Sequence, residues 1–157
     1  MRQKIANKDL PNRSDDLICF AIYSAGHAFN RAYGPMLKDL NLTYPQYIAL
    51  TVLWAEDGLS VGDLCNRLRL EPSTLTPLLK RLEKLGHVER KRGARDERQV
   101  FVTLTKSGHA LQAHAPDITR CIIEGTGYDL AALDDLVDKI TTLRDNVITA
   151  TTTDKTT

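Results

Sequence analysis

The side chains of this 157-residue chain that are equipped for chemistry fall into two groups. One is a set of three cysteines, Cys19, Cys65 and Cys121. They are odd in number with no close pair, so neither a structural disulfide set nor a zinc knuckle is implied, and any cysteine chemistry is that of free thiols. The other is a run of hydroxyl and charged side chains: Ser73, Thr74 and Thr76, then Lys80 and Arg81, then Arg92, Arg95, Asp96 and Arg98. Ser and Thr reach base edges and phosphates without filling a DNA groove, and Arg on a narrow support reaches phosphates or a minor groove. The four histidines share no metal-ligand spacing, and there is no phosphate-binding glycine loop, nucleophile elbow or HExxH motif. An enzyme is therefore not expected, and no metal or cofactor is implied.

The second group is positioned by the stretch from Leu70 to Leu104. Glu71-Pro72-Ser73-Thr74 is a helix start, with Pro72 at the first helical position where its missing N–H is unneeded. The helix it opens carries Leu75, Leu78, Leu79, Leu82 and Leu85 on one face and ends at Gly86. His87 to Arg92 and Gln99 to Leu104 have extended character on either side of a charged loop around Gly93, the pattern of a two-stranded hairpin. Between Lys80 and Arg98 there are eight basic and four acidic residues, net +4, whereas the whole chain is only +1. A charge run is usually just a solvated face. Here the helix cap, the apolar stripe, the hairpin and the charge fall in the order a winged helix requires, with Asp96 able to hold Arg98 on the hairpin by a charge-assisted hydrogen bond.

The rest of the chain reads as helical, giving a fold class that is mainly α with a small β-wing. The 42% apolar content suffices for a core, and no apolar run spans a membrane or resembles a secretory leader, so a cytoplasmic protein is expected. Ser14-Asp15-Asp16-Leu17 caps a first helix that runs through Cys19, Tyr23 and Tyr33 to Gly34-Pro35, where it should bend or break. That helix is apolar on several faces, which suggests that a second chain covers part of it. Helices opening at Thr43-Tyr44-Pro45 and at Ser60 supply the helix-turn-helix support. After the wing, a long helix from Thr105 should be kinked or split at Pro116, and Gly125-Thr126-Gly127 should form a turn. A last helix from Asp129 carries Leu130, Leu133, Leu136, Val137, Ile140, Leu143, Val147 and Ile148 in near-heptad spacing. From Ala115 onward, eight acidic residues against four basic ones argue against DNA contact there.

Together, the run LTPLLKRLEKLGHVER, the element Asp96-Glu97-Arg98-Gln99-Val100 and the exit Leu104-Thr105-Lys106-Ser107-Gly108 resemble the MarR family of winged-helix repressors, from about Leu17 to Val147. Within that family, the stretch Leu17 to Ala25, then Tyr33, then Leu42 to Tyr47, is similar to the organic hydroperoxide resistance regulators, OhrR, of the two-cysteine type. The resemblance implies a homodimer, with residues 14–43 and 105–150 as dimerisation helices around a winged helix-turn-helix region over 44–104, and 151–157 a frayed tail. It implies double-stranded DNA with an inverted-repeat operator as partner. It also implies that Cys19 is the peroxide-sensing thiol, that Tyr23, Tyr33 and Tyr44 surround it, and that Cys121 forms an inter-subunit disulfide with it once an organic hydroperoxide has oxidised it.

Helix arithmetic constrains that sensor. Tyr23 lies one turn from Cys19 on the same face, but Tyr33 is fourteen residues on, about 21 Å along a continuous helix, and cannot reach its own Cys19. If Tyr33 and Tyr44 bond the sulfur, as the resemblance implies, they belong to the partner chain. Phenolic donors would favour the thiolate, whereas Asp15, Asp16 and an apolar pocket would oppose it. Cys65, beside Leu64 and Leu68, reads as a small core residue under the DNA-binding helix. Two other readings stay open: a MarR-type repressor released by a small aromatic acid, with Cys19 a bystander, and a helical protein-binding module.

Overall fold

A computed structural model describes residues 13–93 and 98–153 of the chain. After a single 3-10 turn at Ser14–Asp16, the elements are α1 (Ile18–Lys38), α2 (Tyr44–Ala55), β1 (Leu59–Ser60), α3 (Val61–Leu68), α4 (Pro72–Lys84), β2 (Val88–Arg92), β3 (Val100–Leu104), α5 (Lys106–Ala110), α6 (Ala115–Thr126) and α7 (Leu130–Thr153). They divide into two compact units, one up to Ala115 and one from Pro116.

The first unit is built on α4. Its Leu75, Leu79 and Leu82, spaced four and three apart, are fully buried, as are Leu50 and Leu53 of α2, Leu64 of α3, Val88 of β2 and Val102 of β3. Burying each of these Leu or Val side chains contributes about 1.5–3 kcal/mol. Helix starts are set by local chemistry. Gln46 Oε1 accepts from the Thr43 N–H at 2.8 Å to open α2, and Ser60 Oγ accepts from the Asp63 N–H at 3.0 Å to open α3. The ends of α1, α3 and α4 share one device, a left-handed residue followed by a bond back across the last turn. Asn41, Arg69 and Gly86 have φ of 56°, 55° and 77°. The N–H groups of Leu42, Leu70 and His87 donate to the carbonyls of Leu37, Cys65 and Leu82, each at 3.0 Å.

Of the bend or break expected at Gly34-Pro35, the break does not occur. Gly34 and Pro35 lie inside α1, which continues to Lys38. Pro35 forfeits one backbone bond, but the next turn buries Leu37, and Asn41 rather than the proline terminates the helix. The wing also differs, since β1 makes it a three-stranded antiparallel sheet of order β1-β3-β2. Leu59 pairs with Val102 and Ser60 with Phe101, while β2 and β3 pair from Val88↔Leu104 to Arg92↔Val100. Two residues are too few to show an alternating pattern in sequence.

In the second part of the chain, the stretch leaving the wing is α5, a 3-10 turn at Leu111–His114, and then α6, so the continuity is lost before Pro116. Gly125 and Thr126 belong to α6, and the turn is made by Gly127 at φ 71°. Asp129 caps α7 through its carboxylate, which accepts from the Ala132 N–H at 2.8 Å. The helix runs on to Thr153, and the Thr151 hydroxyl donates to the Val147 and Ile148 carbonyls. No helix among the described residues is long and apolar enough to cross a membrane.

The wing returns to the helices through a polar junction. Trp54 Nε1 donates to the Gly108 carbonyl at 3.0 Å, the Thr105 hydroxyl donates to the Gly86 carbonyl at 2.6 Å, and His87 Nδ1 lies 3.1 Å from Ser107 Oγ. His87 is only 9% exposed, and burial holds its imidazole below the usual histidine range, so it sits here as a neutral ring. Gly108 permits the approach, because a Cβ there would lie 2.1 Å from the His87 carbonyl oxygen, which is backbone and cannot swing aside. Gly108→Ala is therefore expected to cost about 1–3 kcal/mol, read as a lower urea midpoint with an unchanged m-value; an unaltered midpoint would show that the two segments do not meet this closely.

Candidate nucleic-acid interface and thiol site

Because α4 sinks Leu75, Leu79 and Leu82, its 100° steps put Ser73, Pro77, Lys80 and Lys84 along the middle of the opposite face, with Thr76 and Arg81 on its flanks. Ser73, Thr74, Pro77, Lys80 and Arg81 are exposed, and Thr76 is half-buried. Pro77, inside the helix, was not marked by the sequence pattern as a feature of that face. An interior proline costs about 3 kcal/mol through its missing N–H and its clash with the preceding turn.

The cations do not all present themselves alike. Arg90 Nε and Nη2 donate to Glu83 Oε2 at 3.0 and 2.7 Å, and the Arg90 backbone N–H reaches Glu83 Oε1 at 3.3 Å. These bonds hold the Glu83 carboxyl below the usual glutamate range and fasten the last turn of α4 to β2. Lys91 pairs with Glu89 at 2.8 Å. Lys80, Arg81, Lys84 and Arg92 make no ion pair with the described residues, so the local positive charge is concentrated on the outer face of α4 and the outer end of β2. Arg98, exposed ahead of β3, lines a groove of about 720 Å³ together with Thr76, Arg90 and the start of α3 from Ser60 to Asp63. Helix and wing thus share one concave surface. Arg95 and Asp96, and with Asp96 the expected bond to Arg98, lie outside the described residues.

The thiols are dispersed. Cys19 is the second residue of α1 and exposed. Asp15 and Asp16 belong to the separate 3-10 turn before it, so the first turn of α1 contains no acidic residue and no side-chain cap. Tyr23, 63% exposed, stands edge-on to His27 with ring centroids 4.4 Å apart. Tyr33, Tyr44 and Tyr47 form a cluster at the other end of α1, Tyr33 lying 4.6 Å from Tyr44 and 5.8 Å from Tyr47, which in turn meets Trp54 at 5.8 Å. Burial, then the neighbouring phenols Tyr44 and Tyr47, raise the Tyr33 hydroxyl above the ordinary tyrosine range, and burial does the same to Tyr44. Both keep their protons at neutral pH and can donate. Tyr47 was absent from the expected cluster although it stands one turn after Tyr44.

Within one chain, then, Tyr33 and Tyr44 come together, and Cys19 and Tyr23 do not join them. The continuity of α1 leaves Cys19 and Tyr33 about 21 Å apart along its axis. Cys121 is exposed on α6 in the second unit. Cys65 is half-buried and lines a shallow groove with Arg69, Glu71 and Pro72 at the junction of α3 and α4. No cluster of three His, Cys, Asp or Glu side chains among the described residues is placed to hold a metal.

A family model described as transcriptional regulator SarA/Rot matches residues 31–114. The HTH-type transcriptional regulator TtmR of Methylorubrum extorquens is 46% identical over 140 residues, covering 89% of this chain and 72% of its own length. The organic hydroperoxide resistance transcriptional regulator of Bacillus subtilis is 39% identical over 136 residues, covering 85% of this chain and 90% of its own. Among solved structures, reduced AbfR bound to DNA superposes with a TM-score of 0.70 at 30% identity, covering 83% of this chain and 91% of that one. AbfR of Staphylococcus epidermidis alone gives 0.70 at 29% over 83% and 90%, and disulfide-formed AbfR 0.59 at 32% over 80% and 88%.

The Glu83–Arg90 contact yields a pH signature. Its carboxyl titrates lower in the folded chain than its ordinary value of 4.5, so the stabilisation is complete above that value and is lost as pH falls through the lowered one. Glu83→Gln should lower stability at pH 7 by about 0.5–1 kcal/mol, small because the pair is partly exposed, and the difference from the parent should shrink in acid. Denaturant midpoints that stay separated by the same amount down to the acid limit of folding would mean that the carboxylate is not what Arg90 holds.

Proposed function

Because the chain belongs to the SarA/Rot family of MarR-like winged-helix transcriptional regulators, we propose that it is a homodimeric repressor that releases its operator when an organic hydroperoxide oxidises Cys19. The observation that carries this reading is the division of the sensor residues by α1. Cys19 and Tyr23 stand at one end of a continuous 21-residue helix, and the proton-bearing phenols of Tyr33 and Tyr44 stand at the other. A second α1 lying alongside in the opposite direction completes two such sites at once. α1 exposes apolar side chains to such a partner, Ile18, Ile22 and Phe29 on one side and Phe20 on nearly the opposite side; in the second unit, α7 separately exposes Leu136, Val137, Ile140, Val147 and Ile148. The likeness to the hydroperoxide regulator of Bacillus subtilis and to AbfR in reduced and disulfide forms supports the chemistry.

The steps balance without further reagents. The Cys19 thiolate attacks the terminal oxygen of ROOH and the O–O bond breaks; the departing alkoxide takes up one proton, equivalent to the one the thiol lost on ionising, and leaves as the alcohol ROH, with Cys19 now a sulfenic acid. The thiol of Cys121 from the partner then displaces water, giving a disulfide between chains. Donation from the partner's Tyr33 and Tyr44 stabilises charge on the sulfur before the reaction, and formation of the disulfide removes Cys19 from them. On DNA, a two-fold dimer sets its two α4 helices into major grooves about 34 Å apart on an inverted repeat, with Arg92, Arg95 and Arg98 of each wing at the backbone or minor groove.

Cys19→Ser should fold, bind the operator like the parent and no longer be released by organic hydroperoxide; Cys65→Ser should respond normally. Cys121→Ser should form sulfenic acid but no reducible inter-chain dimer on non-reducing electrophoresis. Release that persists in Cys19→Ser and is undone by dilution, not by dithiothreitol, would assign the protein to the ligand-released repressors instead. On the DNA side, Thr76→Ala should change sequence preference more than Lys80→Ala does, and Lys80→Ala should lower the salt slope by about one unit. Equal, sequence-independent losses from both would remove Thr76 from the reading residues.

A further inference from the structure

We propose that the main-chain carbonyl of Ser73, set free by Pro77, is a base-reading acceptor that takes a hydrogen bond from an exocyclic amino group, adenine N6 or cytosine N4, in the major groove. The inference rests on the reading of α4 as the helix that enters that groove, and adds to it a contact that no side chain supplies. Pro77 stands four positions after Ser73, so in an unbroken helix the N–H at position 77 would donate to the Ser73 carbonyl. Proline has no such N–H, and its ring pushes the preceding carbonyl away from the axis toward solvent. No donor from outside the helix reaches that oxygen among the described residues.

The location matters as much as the vacancy. Ser73 and Pro77 lie in the middle of the face opposite Leu75, Leu79 and Leu82, in the N-terminal half of α4, the part of a reading helix that meets base edges. Pro77 is exposed, so no packing in the core accounts for a residue that weakens the helix holding it. The rest of this face is short of acceptors. Lys80, Arg81 and Lys84 only donate, the hydroxyls of Ser73, Thr74 and Thr76 can either donate or accept, and Glu83 is held by Arg90. No Asp, Asn or Gln occurs between Pro72 and Lys84. A carbonyl accepts only. It therefore distinguishes the amino-bearing edges of adenine and cytosine from the keto edges of thymine and guanine, which a hydroxyl, able to turn either way, does not.

The test uses the full-length reduced protein and a duplex selected by it from random sequence. In that duplex each adenine of the half-site is replaced in turn by purine, and each cytosine by 2-pyrimidinone, which deletes the amino group alone. At one position per half-site the deletion should weaken the parent about tenfold and Pro77→Ala less than twofold, because an N–H at position 77 closes on the Ser73 carbonyl and withdraws it. Thr76→Ala should keep the tenfold penalty at that position while losing preference at another. Pro77→Ala should also melt higher than the parent, which shows that it is folded. If the parent and Pro77→Ala lose affinity equally at every substituted position while Thr76→Ala still changes preference, the carbonyl contact is wrong and the reading of α4 stands. If selection yields no preferred sequence and Thr76→Ala is without effect, both are overturned.

Discussion

The first unit depends on one requirement placed on α4: the same thirteen residues must be the centre of the core and a surface available to DNA. Leu75, Leu79 and Leu82 meet the first demand within a narrow stripe, which leaves most of the circumference free. Everything next to α4 then serves to hold it at a fixed height and angle. The bond from the His87 N–H to the Leu82 carbonyl ends it, the Glu83–Arg90 contact ties its last turn to the wing, and Ser60 with Asp63 opens α3 beside it. Substitution within the leucine stripe thus differs in kind from substitution on the opposite face. The first removes the support for every contact, whereas the second edits one contact and leaves the fold.

The stiffness of α1 is the second constraint. A helix cannot bring residues fourteen positions apart together, so a site using both Cys19 and Tyr33 is incomplete in one chain. In the proposed dimer, the exposed apolar side chains on the same helix would give the association its driving force, and the separated polar groups would give it a direction. Stability of the dimer and formation of the sensor are thereby the same event in the proposed mechanism, and the protein has no way to assemble a reactive site without also fixing the distance between its two DNA-reading helices.

Much of this was legible in the residues. The stripe of α4, its proline start, the Gly86 end and the hairpin came from patterns several residues long, in which propensity and spacing agree. What escaped was set by contacts remote in sequence or by one backbone angle. β1 exists because Leu59 and Ser60 find β3 more than forty residues later, and nothing in two residues announces it. Asn41 and Arg69 end their helices with positive φ that only the surrounding structure enforces, whereas glycine at 86 advertises the same conformation. Gly34-Pro35 does not break α1, which runs on past the proline to bury Leu37. The charge count from Lys80 to Arg98 holds as a sum, but Arg90 and Lys91 are committed to Glu83 and Glu89, a pairing that a count of charges does not reveal. Tyr47 could have been found, because it stands one helical turn from Tyr44.

The geometry also narrows how a change at the phenols can be felt at the DNA surface. α2 is twelve residues long, and three of its turns touch three different parts. Tyr44 and Tyr47 in its first turn pack with Tyr33, its buried Leu50 and Leu53 lie in the core with α4, and Trp54 in its last turn bonds the Gly108 carbonyl where the wing returns. A close-packed core resists deformation within such a helix more than movement of the helix as a body. In the proposed mechanism, disulfide formation that withdraws Cys19 from the partner's phenols would apply its force to α2 at one end and pass it to α4 and the wing together. Helix and wing, held by Glu83 and Arg90, would then shift as a unit, and the fit lost would be the spacing between the two halves of the dimer, not the shape of either DNA-binding surface.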